Sequence, residues 1–311
     1  MVVILLVLLS FGVPALAATP ELPLVPATQT LSPTPGTPPP FTPTPSPTPS
    51  KGVWRPVEKV LGREGDVLAG VFYLAFPRHD LNLMIEGTVL EPPMVESVLS
   101  FQGPPSETSL LRARLMLLDR EVPTTLARLL EEGLEVRGLE APFWNAAPGV
   151  KELEVHGKGR PERVSGALKR ALRGTGTLKE APTPTAPKVV PTLVEEVFGP
   201  ARRDGPTLRY DLHRGPSDEE GMVLNRCSLV FQGEGDRSAV QGDWVLASAE
   251  APRVLRALLS AGFKPAFLRP GDRGNDARLR FWYAGPLKEV LPTLLKEWGR
   301  LVPTPSPAPG P

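Results

Sequence analysis

The chain has 311 residues, 41% of them hydrophobic and 22% charged, with a formal net charge of +1. That near-neutral balance excludes a protein that grips nucleic acid through bulk positive charge. A single cysteine, Cys227, excludes a fold held by intrachain disulfides, and the 40 prolines, half of them crowded into three tracts, exclude one folded domain over the whole length.

Met1 to Leu9 is almost continuously apolar, and the stretch that follows ends in Ala15-Leu16-Ala17. An apolar run before a small-x-small site predicts a cleaved signal peptide over residues 1–17. The run is shorter than the roughly 20 apolar residues a membrane span needs, so no transmembrane span is expected in the mature chain. No cysteine follows the cleavage site, which excludes a lipid-anchored lipoprotein. The expected location is outside the cytoplasm, in the cell envelope, the periplasm or the extracellular space.

Residues 18–53 are dominated by Thr-Pro and Ser-Pro pairs. Proline fixes φ and removes N–H donors, so this segment is expected to be a disordered, semi-rigid stalk and a candidate for O-glycosylation. At about 3.1 Å per residue, roughly thirty such residues reach up to about 90–100 Å. A second Pro/Thr tract makes residues 179–190 a linker, and residues 303–311 form a Pro-rich tail. Between them lie two blocks of ordinary domain size, 54–178 and 191–302.

In the first block a short helix is expected over Val57 to Leu61. Strands are expected at Val71 to Phe76, Leu81 to Ile85, Ser97 to Phe101 and Arg112 to Leu118, from their alternation or β-rich composition. Pro123 suits the first turn of a helix whose inner face is Val122, Leu126, Leu129 and Leu130, with Gly133 closing it. Two more strands follow, Glu135 to Leu139 and Lys151 to His156. Pro161 opens a last helix with Val164, Leu168 and Leu172 inward.

The second block repeats the first. Phe101-Gln102-Gly103 returns as Phe231-Gln232-Gly233, and a Pro-initiated helix ending in glycine follows in both, at Thr124 to Gly133 and Arg253 to Gly262. The predicted fold is therefore α+β: two tandem copies of one module, each a mainly antiparallel sheet with helices on one face.

Several short motifs occur in a fixed order. The first block has Phe76-Pro77-Arg78-x-Asp80-Leu81, Ser100-Phe101-Gln102-Gly103, Leu118-x-x-Glu121-Val122 and His156-Gly157-Lys158-Gly159; the second has Gly221-Met222-Val223, Gly242-Asp243-Trp244-Val245-Leu246 and Phe281-Trp282. Over Trp54 to Leu301 the chain resembles the LppY/LpqO family of bacterial envelope proteins, which are built on a duplicated domain of unknown function. The resemblance implies a histidine-rich patch: a His-Asn-His run after the strand that follows the main helix, and another His near the end of the next strand. Here those positions read Glu140-Ala141-Pro142 and Glu154, with only His156 nearby. In the second block they read Arg269-Pro270-Gly271 and Arg280. The chain is thus a diverged copy that lacks most of the family histidines.

Two candidate sites remain. If the strands of the first block pair, Glu154 and His156 share a face by the period of two, with Glu140 close by. Two carboxylates and an imidazole can hold a divalent cation or perform acid–base work; the simpler alternative is a solvated, open sheet face. Lys158, Arg160 and Arg163 surround the start of the last helix of the first block, a candidate anion-binding position. In Phe281-Trp282-Tyr283, alternation places Trp282 on the face opposite its neighbours, as core packing requires. Cys227 is expected to be a buried structural thiol. No catalytic residue, metal or cofactor is assigned. The functional expectation is a non-catalytic, envelope-associated binding or structural module, whose partner is an unknown envelope component or small ligand and not specific nucleic acid. The alternative is a metal-dependent or acid–base hydrolase using Glu140, Glu154 and His156.

Overall fold

The computed structural model describes residues 51–68, 70–105, 107–179, 191–204, 206–213, 226–233, 238–271 and 274–301. The expected signal peptide, most of the stalk and linker, the tail and Gly221-Met222-Val223 lie outside the described residues.

Module 1 opens with a 3-10 turn, Lys51–Trp54, and helix α1, Arg55–Leu61. Its strands are β1 (Asp66–Leu68), β2 (Val71–Pro77), the short pair β3 (Met84–Ile85) and β4 (Thr88–Val89), β5 (Glu96–Gln102), β6 (Ser109–Leu118), β7 (Glu135–Glu140) and β8 (Val150–Gly159). Helix α2 (Val122–Glu131) lies between β6 and β7, and α3 (Pro161–Ala171) follows β8. Module 2 comprises α4 (Pro191–Phe198), β9 (Arg202–Asp204), β10 (Thr207–His213), β11 (Arg226–Gln232), β12 (Ala239–Ala247), α5 (Ala251–Ser260), β13 (Lys264–Pro270), β14 (Asp276–Ala284) and α6 (Leu287–Leu301).

The strand orders prove to be one topology. Module 1 runs β1-β2-β5-β6-β8-β7, and module 2, taken from its other edge, runs β9-β10-β11-β12-β14-β13. Both sheets are antiparallel throughout. Even an irregularity repeats: the last edge strand is bulged between Val136 and Gly138 in module 1 and between Pro265 and Phe267 in module 2. A bulge inherited at the same place twice is a mark of duplication, because bulges are specified features and not accidents of packing.

Each module has a core between its sheet and its helices. In module 1, Trp54 stacks on Phe72 with ring centroids 4.9 Å apart, and Leu99, Phe101, Leu115, Leu153 and Leu168 pack around them. In module 2, Trp244 meets Phe281 edge-on at 4.8 Å among Leu229, Leu279, Val290 and Leu294. Cys227 is fully buried there. A third apolar cluster joins the modules: Leu83, Ile85, Met94, Met116 and Phe143 of module 1 pack with Val230 and Trp282 of module 2. The helices therefore cover the outer faces, and the opposite sheet faces meet.

Three local expectations are corrected. Leu81 to Ile85 is not one strand. It is the 3-10 turn His79–Leu81 followed by two strand residues, and its alternating apolar side chains serve the third cluster. Leu130 does not face inward; it is 59% exposed, and buried Thr125 joins Val122 and Leu129 on the inner face of α2. The strand expected to end at His156 continues as β8 through Gly159, with Gly157 and Gly159 opposite Leu111 and Ser109.

Candidate functional site

The face of module 1 that meets module 2 is rich in charge because alternation puts Arg112 and Arg114 of β6, and Glu152, Glu154 and His156 of β8, opposite the core-facing residues. Glu140 at the end of β7 lies opposite Glu152. From module 2, the same period presents Asp243 of β12, Arg278 and Arg280 of β14 and Arg269 of β13.

These groups form one network across the interface. Asp243 accepts from three guanidinium groups: Arg114 at 2.9 Å from module 1, and Arg278 at 2.6 Å and Arg280 at 2.9 Å from its own sheet. Arg280 also reaches Glu152 of module 1 at 2.8 Å. Arg269 bridges the two carboxylates anticipated as a site, lying 2.5 Å from Glu154 and 3.4 Å from Glu140. His156 adds a hydrogen bond to Glu154 at 3.3 Å. The ring of Phe267 supports Arg269, Arg278 and Arg280, whose guanidinium carbons lie 5.1–5.7 Å from its centroid. Gly138 lies opposite Glu154, and a Cβ there would be in ordinary contact with Arg269, 3.6 Å from its Nη1.

Burial and charge pull the carboxyls in different directions. Burial pushes Asp243 up, but Arg278, Arg280 and Arg114 overcome it and hold the group well below the usual range. Glu152 is likewise pushed up by burial and brought down by Arg280 and Arg114. Glu154 is raised by burial and lowered further by hydrogen bonds from His156 and Arg269. Glu140 behaves oppositely: burial raises its pKa and Arg269 offsets only part of that rise. On the cationic side, burial favours losing the proton from Arg280, but Glu152 and Asp243 raise its pKa.

The structure thus brings Glu140, Glu154 and His156 together, with Arg269 inserted between the carboxylates. The open, solvated face considered as the simpler alternative is not found; Glu154 is only 19% exposed. Among the described residues no three His, Cys, Asp or Glu side chains are grouped so as to hold a metal ion. Lys158 lies at the end of β8, Arg160 precedes α3 and Arg163 lies in its first turn; all three are exposed. Pro161 supplies no N–H at that helix start.

Sequence reasoning passed over Arg114, Glu152, Asp243 and Arg278. The available signal was the alternation of charge with Leu, Val and Phe on the central strands, which marks a second face in need of a partner. A further buried cation, Arg78, belongs to module 1 alone. It pairs with Asp80 at 2.8 Å and Glu121 at 3.1 Å, and donates to Thr177 Oγ1 at 3.2 Å and to the carbonyl of Met116. Glu121 also receives the N–H groups of Leu118 and Gly176, so the Arg-x-Asp and Leu-x-x-Glu motifs tie β2, the start of α2 and the turn after α3 together.

A cavity of about 40 Å³, room for a water or two, lies between the sheets beside Arg114, Asp243, Glu152 and Arg280. No helix among the described residues is long and apolar enough to cross a membrane. No curated protein matches the chain. Residues 55–174, essentially module 1, match the family model described as Domain of Unknown Function (DUF1259).

Proposed function

We propose that this chain is an exported, envelope-associated binding or structural module that performs no catalysis, and that it is a diverged relative of the LppY/LpqO proteins. In this reading residues 1–17 are removed on export, and 18–53 form a stalk that carries the paired modules 54–178 and 191–302 away from a surface. The partner is an envelope component or small ligand.

One observation carries the non-catalytic part. At the positions where the resemblance implies imidazoles, Glu140 and Glu154 face Arg269, and Arg280 sits between Glu152 and Asp243. A guanidinium has no lone pair for a cation and does not give up its proton at working pH. A carboxylate held ionised by a neighbouring guanidinium, as Glu154 is by Arg269, is a poor proton shuttle. The site chemistry has been replaced by ion pairs that join the modules.

Glu140 favours the hydrolase alternative, because its raised pKa is the direction a general acid needs. Metal analysis of the purified chain decides between the two. The expected result is less than one tenth of an equivalent of zinc or manganese. One tightly held ion per chain, lost in the E154A/H156A double variant, would overturn the proposal.

A further inference from the structure

The Phe-Gln-Gly ends of β5 and β11 fix which residues of the two modules correspond. Three positions before Phe101 and Phe231, Val98 lies opposite Arg114 and Ser228 lies opposite Asp243, so Arg114 corresponds to Asp243. On the next strand Glu154 faces Arg114 while Arg280 faces Asp243. Two residues earlier, Glu152 corresponds to Arg278. At the edge, Glu140 opposite Glu152 corresponds to Arg269 opposite Arg278. At all four positions the sign is inverted. Module 1 carries one positive and three negative groups, and module 2 one negative and three positive.

The contacts have the reciprocity of a twofold interface. Arg114 meets its own counterpart, Asp243. Arg269 likewise meets its own counterpart, Glu140, and Arg280 meets Glu152. Two identical faces in this arrangement would bring like charges together. In a pair of module 2 faces, Arg280 would meet Arg278 and Arg269 would meet Arg280. In a pair of module 1 faces, glutamates would oppose glutamates and Arg114 would oppose Arg114.

We infer that each face fits only the unlike copy: the inverted charges are specificity determinants that close the chain on itself and reject pairing between like modules. Specificity of this kind needs a repulsive element against the wrong partner as well as an attractive one for the right partner, and charge inversion supplies both. The apolar third cluster gives adhesion; the ion pairs decide which faces adhere. The inference rests on strand register and holds whether or not the chain takes a ligand.

The test exchanges these residues in the full chain. R114D/E140R/E152R/E154R gives module 1 the charges of module 2, and R269E/R278E/R280E/D243R does the reverse. The eightfold variant combines both and keeps the composition unchanged. Each one-sided variant is expected to lower the melting temperature by about 10 °C or more, and the eightfold variant to recover at least half of that loss. One-sided variants as stable as the parent would overturn the inference. So would a folded eightfold variant no better than its one-sided parents. If the eightfold variant does not fold, the half-buried pair Glu154 and Arg269 decides. E154R/R269E melting above both E154R and R269E supports the inference, and a double variant melting at or below the weaker single overturns it.

Discussion

Arg114 and Asp243 meet at 2.9 Å where the two sheets face one another, and each is the other's counterpart in the duplicated module. Asp243 also takes Arg278 and Arg280, so one carboxylate accepts from a cluster of three guanidinium groups. Breaking a fully buried pair costs about 3–5 kcal/mol, but Asp243 and Arg114 are partly exposed and Arg280 keeps Glu152, so a loss of about 1–3 kcal/mol is expected here. D243N should fall in that range by urea denaturation. A loss below about 1 kcal/mol would mean that water, and not Asp243, compensates these arginines.

The pH dependence follows from the directions of the shifts. Asp243, Glu152 and Glu154 have folded pKa values below their unfolded ones, so their stabilisation is present above the ordinary carboxylate range and is lost as pH falls through and below it. Glu140 has the opposite sign: its raised pKa means that the ionised form costs stability, and that cost disappears on protonation. E140Q should therefore melt at or above the parent temperature at pH 7, with the difference vanishing as pH falls through the Glu140 titration. E154Q should melt lower at pH 7 and converge with the parent at acid pH. Melting curves from pH 2 to pH 7 for the three proteins provide the check.

The second module also holds the first through one amide. Gln232 donates from Nε2 to the carbonyl of Val89 at 2.6 Å and accepts from the N–H of Glu91 at 2.7 Å, and it is 3% exposed. Its truncation strands two backbone groups, at about 1–3 kcal/mol for a buried unmade bond. Q232A should lose stability in that range and speed amide hydrogen exchange at Glu91, while the core amides of β6 and β8 keep their protection against local opening.

Two glycines separate steric need from charge. A Cβ on Gly242 would lie 2.1 Å from the ring of Phe281, whereas one on Gly138 would lie at ordinary contact distance from Arg269. G242A should destabilise by about 1–3 kcal/mol through overpacking, and G138A should change stability by less than about 0.5 kcal/mol. Chemical denaturation of both variants tests this.

The fold was legible where periodicity and punctuation agreed. Repeated Phe-Gln-Gly ends, Pro-initiated helices and alternating strands are local signals, and they led to two α+β copies. Leu81 to Ile85 misled because its alternation serves a core between modules, which no local pattern distinguishes from a strand within a sheet. Leu130 misled because the ten residues of α2 set the buried face through Thr125 as readily as through leucine. At the candidate site, the proximity of Glu140, Glu154 and His156 followed from the period of two. That Arg269 would sit between the carboxylates did not, because nothing in a single chain's pattern says which sheet faces will meet. The charges left on the non-core faces announced a partner without naming it, and the partner was the other half of the same chain.

The most direct measurement is a double-mutant cycle on Glu152 and Arg280, the cross-module ion pair in which both side chains are less than one tenth exposed. E152M, R280M and E152M/R280M would be compared with the parent by urea denaturation. If the pair joins the modules as described, R280M alone costs about 3–5 kcal/mol and the double variant loses at least about 2 kcal/mol less than the sum of the two singles. Strictly additive losses would contradict it, and would return these side chains to the role of independent groups on two separately folded faces.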